Sequence, residues 1–139
     1  MKRIVSMLIV VVVSATALAG VAQAQKKEKE EKLDPRIAAY DKGTTKIDTS
    51  NYPPDVKATY KLFTVKCAKC HSVARGINCE FALAEEWERY VKRMMRRAGD
   101  FIKPDDGKKL FDFLVYDSKV RKKDLFDRKT KEAISNPSS

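Results

Sequence analysis

Three stretches of this chain repeat apolar residues at helical spacing, with polar or breaker-rich segments between them. Val56, Tyr60, Phe63 and Cys67 recur every three or four residues, the period of one helix face. A helix is therefore predicted from about Pro53, with Ser50 or Asn51 as its cap and proline tolerated in its first turn. A second is predicted from Leu83 to Ala98, striped by Trp87, Val91, Met94 or Met95, and Ala98. Glu85, Glu86 and Glu88 gather at its start and Lys92, Arg93, Arg96 and Arg97 at its end, which suits the helix dipole. Gly99 stops it. The third, from Pro104 to about Tyr116, carries Leu110, Phe111, Phe113, Leu114 and Val115. Ser72 to Ala82 reads as a loop containing Gly76, and no segment alternates as a strand would, so the fold class is all-α.

The flanks are harder to read. Leu33 to Tyr52 is irregular, broken by Pro35 and Gly43, and its apolar residues, Tyr40 and Ile47 among them, have no placement from pattern alone. Beyond Asp117 the chain turns basic and polar, with Leu125 and Phe126 as candidates to pack back and Asn136 to Ser139 expected to fray. At the other end, Met1-Lys2-Arg3 precedes an apolar run from Ile4 to Val13, and Ala22-Gln23-Ala24 supplies a small-residue cleavage site. That is the pattern of an export signal, with an uncleaved anchor as the competing reading. The division is thus a leader over 1–24, a charged spacer and irregular segment over 25–52, a helical domain over 53–117 and a basic tail over 118–139.

Charge changes the picture of partners. Removing residues 1–24 takes away Lys2 and Arg3 and no acid, so 27 of 29 basic residues remain against 19 acidic ones. The 115 residues left of 139 suffice for one small core. An exported basic protein meets little nucleic acid, so an acidic protein partner is the expectation. After leader removal no segment is apolar enough to span a bilayer.

The chemistry concentrates at Cys67-Ala68-Lys69-Cys70-His71, a C-x-x-C-H sequence occurring once. This is the attachment signature of a c-type haem. Two thiols add to the two vinyl groups, and the adjoining imidazole is held on one face of the iron. One covalently bound haem c is expected, with Cys67 and Cys70 as attachment points and His71 as proximal iron ligand. A structural zinc site built from Cys67, Cys70, His71 and Cys79 is the competing reading.

A helix entering C-x-x-C-H, a middle helix and a C-terminal helix of aromatic and aliphatic pairs resembles the class I cytochromes c. The resemblance covers about residues 53–117 and implies three main helices around one covalent haem. Phe63, four residues before Cys67, sits where that family packs an aromatic on the C-terminal helix, and Leu110, Phe113 and Leu114 look like its partner surface. Thr59 departs from the pattern, standing where the family usually has glycine for close helix approach. The stretch from Trp87 to Met95, followed by Phe111 to Tyr116, is similar to small monohaem cytochromes of anaerobic ammonium-oxidising bacteria. Some of those form heterodimers and carry His/Cys-ligated haem, which implies such a partner and such a ligand set here.

His71 is the only histidine, so a second histidine ligand from the same chain is excluded. Two of the four methionines lie in the leader, leaving Met94 and Met95 as thioether donors. Cys79 is the alternative distal ligand: an exported, unpaired cysteine calls for an explanation. The eight residues from His71 to Cys79 span about 27 Å when extended, enough to round a haem edge, and Arg75 is placed to pair a propionate. The resemblance implies Cys79 as the first choice, Met94 the second and Met95 the third, whereas the residues alone favour a methionine; an open or lysine-ligated iron is the remaining option. The expected role is non-enzymatic one-electron transfer in the periplasm or an equivalent compartment, with Lys66 and Lys69 on a basic docking rim. The alternatives are a binder or sensor of NO or CO, and the haem subunit of a heterodimeric complex.

Overall fold

The computed structural model describes residues 33–136. The expected leader, the spacer through residue 32 and the last three residues lie outside them. The described residues are all-helical: α1 (Pro35–Asp41), α2 (Pro54–Cys67), α3 (Ala74–Asn78), α4 (Ala84–Ala98), a 3-10 turn (Gly99–Phe101), α5 (Pro104–Val120) and α6 (Lys123–Ser135). None of these helices is long and apolar enough to cross a membrane.

The three periodic stretches become α2, α4 and α5, and α5 is the hub, packing against α2, α4 and α6. Phe63 is buried and stacks obliquely on Phe113, ring centres 5.4 Å apart. Such aromatic pairs add about 0.5–1.5 kcal/mol beyond the area they bury. Leu110 and Leu114 are buried on the same helix. Trp87 is fully buried between Phe81 and Tyr90, and its indole N–H donates to Ser118 Oγ at 2.8 Å. Gly99, at φ +54°, ends α4 as its position suggests.

α2 departs from its expected start. Its cap is Pro53, with no side-chain hydrogen bond, because residues 48–52 form their own turn. Asp48 accepts from the Ser50 N–H at 2.9 Å, and Tyr52 N–H reaches Thr49 O at 2.9 Å. Ser50 and Asn51 are thereby held away from the helix end.

The flanks are more ordered than their composition suggests. Residues 35–41 of the irregular segment form α1, capped by Asp34, and α1 packs on α3, which occupies the expected loop. Asn78 fastens the two: its amide Nδ2 donates to Tyr40 O, Thr44 O and Ala74 O at 2.8–3.2 Å. Ile47 and Tyr52 continue into the core. The basic tail is also helical. Lys122 and Lys129 reach back to the 79–86 segment, Lys129 pairing with the Glu86 carboxylate.

A Cβ on Gly43 would fall inside contact distance of the Asn78 amide, which three hydrogen bonds hold in place. Gly43→Ala is therefore expected to cost about 1–3 kcal/mol, read as a lower urea midpoint at unchanged slope. Gly107→Ala is the control. There the new methyl meets the flexible Met95 thioether, and better helix propensity offsets the clash to within about 1 kcal/mol.

Candidate functional site

The stripe of α2 that buries Phe63 also turns Cys67 inward, at the last residue of the helix. Burial pushes the Cys67 thiol up to about 12, so it is neutral at ordinary pH. Cys70 is exposed and His71 half-buried. His71 Nδ1 lies 2.9 Å from Ser72 O. A carbonyl oxygen only accepts, so the ring proton sits on Nδ1 and the Nε2 lone pair is left for a metal. This is the orienting contact that metal-ligating histidines generally make through their other nitrogen.

Two adjoining clefts open at these residues. One, of about 230 Å³, is lined by Cys67, Cys70, His71, Met94, Arg97 and Ile102 among others. The next, of about 290 Å³, shares His71, Arg75, Met94 and Arg97 and continues to Tyr40, Cys79, Phe81, Tyr90 and Arg93. Apolar walls with a few polar groups are the usual make-up of a cofactor site. A larger groove, about 680 Å³ between α2 and α5, is lined by Thr59 and Phe113 among others and by no cysteine, histidine or methionine.

The structure separates the distal candidates. Cys79 is buried at the C-cap of α3, with its Sγ 3.3 Å from Gly76 O. Burial raises its thiol and the nearby Lys122 ammonium opposes that rise. Lys122 Nζ donates to Cys79 O at 2.7 Å and Phe81 O at 3.2 Å, and lies 4.0 Å from Cys79 Sγ. Met94 lines both clefts. Met95, the third candidate, does not. One position along α4 is a rotation of about 100°, which turns Met95 onto Gly107 of α5 and a separate cleft with Phe111. It is a helix-packing residue.

These residues fit a haem. Two thiols and an oriented imidazole line one cleft; of the two soft donors, Met94 lines that cleft and its neighbour, and Cys79 lines the neighbour alone. They do not fit zinc: among the described residues no three His, Cys, Asp or Glu side chains converge on one point. A haem iron needs only two axial donors, because the ring supplies the rest.

Two expectations change. Arg75 is engaged by Asp41 of α1, its Nε 3.1 Å from Asp41 Oδ1. Lys66 pairs with Asp106 at 2.8 Å and donates to Phe101 O at 2.7 Å, which removes it from the docking rim. Trp87 packs the core and lines neither cleft. Tyr40, Phe81, Tyr90 and Lys122 are cleft or support residues that periodicity did not single out. Tyr40 is placed by the Asn78 fastening, and only the aromatic run through Phe81 and Tyr90 left a trace in the sequence. Compared with known proteins, the chain matches no family model, no curated protein and no solved structure.

Proposed function

We propose that this chain is an exported monohaem c-type cytochrome that passes single electrons between redox proteins. One observation carries the reading: His71, its Nδ1 2.9 Å from Ser72 O, stands where two adjoining clefts meet, one lined by Cys67 and Cys70, the other by Cys79, and both by Met94. Cys67 and Cys70 would hold the ring through thioether bonds, and His71 Nε2 would bind the iron. Haem c bound there supplies an iron that alternates between ferric and ferrous. The protein's own part is to orient the imidazole, keep water from the buried end through Phe81 and Tyr90, and leave the Cys70 edge open. Lys69 and Arg97 are exposed cations beside the attachment loop and the clefts. They suit an acidic partner, whose approach a positive rim accelerates at low salt.

The test is direct. Exported in a host that attaches haem c, the wild-type chain is expected to gain the mass of one haem and a c-type haemochrome spectrum. Cys67→Ala/Cys70→Ala is expected to lose the covalent haem entirely. Wild-type protein with no added mass would refute the proposal.

A further inference from the structure

The two adjoining clefts share some lining residues and differ in others. Cys67, Cys70 and Ile102 line one alone; His71, Met94, Arg75 and Arg97 are shared; Tyr40, Cys79, Phe81, Tyr90 and Arg93 line the other alone. Three guanidinium groups line this space, but they are not equivalent. Arg75 is held by Asp41. Arg97 lies among the residues of the cysteine end as well as the far one. Arg93, one turn earlier on α4, lines only the far cleft; its guanidinium lies 5.6 Å from the centre of the Tyr90 ring. No carboxylate of the described residues forms an ion pair with it.

A haem is asymmetric in a way that uses this difference. Its two vinyl-bearing pyrroles adjoin each other, and its two carboxylates leave from the opposite edge. With the vinyl edge fixed at Cys67 and Cys70, the carboxylates emerge at the end of the cleft away from the cysteines. We infer that Arg93 is the anchor for a haem propionate, an assignment that rests on the haem reading above. Arginine suits the task because its planar fork meets both carboxylate oxygens and stays charged at every working pH. The Tyr90 ring beneath it limits the positions the guanidinium can take.

The experiment uses the complete holoprotein carrying haem with ¹³C-labelled propionate carboxyls. Arg93→Gln is expected to shift one carboxyl resonance and to lower the midpoint potential, since a positive charge beside the ring favours the reduced iron. Arg93→Lys is expected to recover the potential, and Arg96→Gln, on the same helix but outside both clefts, to move neither signal. Arg93 is exposed, so these exchanges leave the core intact. Unmoved carboxyl resonances in Arg93→Gln, or the same shift produced by Arg97→Gln alone, would overturn the assignment while leaving the haem reading standing. A wild-type chain without covalent haem would overturn both.

Discussion

Asp117→Ala is expected to destabilise the protein by about 3–5 kcal/mol, the usual cost of removing one partner of a buried ion pair. Asp117 is 1% exposed. It accepts from the Tyr52 hydroxyl at 2.8 Å and from Arg121 Nε at 2.9 and 3.1 Å. The Arg121 guanidinium also donates to Ile77 O at 3.1 Å. One carboxylate thus joins the segment before α2, the end of α3 and the last turns of α5. Its loss strands a buried tyrosine hydroxyl and a partly buried guanidinium together. Burial first, then the Asp117 carboxylate, already hold the Tyr52 phenol well above its ordinary range, so no compensating ionisation of Tyr52 follows at neutral pH. The measurement is urea unfolding of the holoprotein, with Asp112→Ala as control. Asp112 pairs with Lys108 on the surface, its side chain 54% exposed, and such pairs contribute about 0–1 kcal/mol. If the two variants lost the same small amount, the network would not be what holds these segments together.

Cys79→Ala is expected to change the iron's spectrum more than any other single exchange outside Cys67, Cys70 and His71. With Cys79 as distal ligand, the ferric wild type shows a thiolate-type low-spin resonance signal that vanishes in Cys79→Ala. The midpoint potential rises, because a thiolate donates electron density to the iron. Met94→Leu leaves that signal in place. The Lys122 ammonium, 4.0 Å from Cys79 Sγ, opposes part of what burial costs a negatively charged sulfur there. The opposite pattern, a far-red sulfur-to-iron band lost only in Met94→Leu, would make Met94 the ligand and the protein a high-potential carrier. Carbon monoxide adds a second discrimination. A six-coordinate spectrum unchanged under the gas marks an electron carrier, whereas ready displacement of the distal donor marks a gas binder.

Legibility in the sequence followed the size of the apolar stripe. α4 and α5 each bury several large residues on one face, α2 buries Phe63 with partly buried Val56, Tyr60 and Cys67 beside it, and the bounds of all three differ from expectation by four residues at most. α6 buries no residue fully and is held by half-buried Leu125 and Phe126 and by lysine side chains, a pattern indistinguishable from a solvated tail. α1 has seven residues and α3 five, too few for a period to show. At the site, Cys67, Cys70 and His71 stand out in the sequence because they fall within five consecutive residues. Met94 and Met95 were not separable, since adjacent helical positions differ only in which neighbour they meet. The partners of Arg75 and Lys66 lie 34 and 40 residues away in sequence, and no local pattern encodes them.

The basic side chains that reach back from residues 121–129 bear on what counts as the heritable module. Arg121, Lys122 and Lys129 supply the hydrogen-bond donors for Ile77 O, Cys79 O and the Glu86 carboxylate. A gene fragment ending at the last strongly apolar turn of α5 would encode every residue of the C-x-x-C-H sequence and still lack those donors. The smallest piece that recombination, or an engineer, could move intact to another protein therefore ends beyond Lys129.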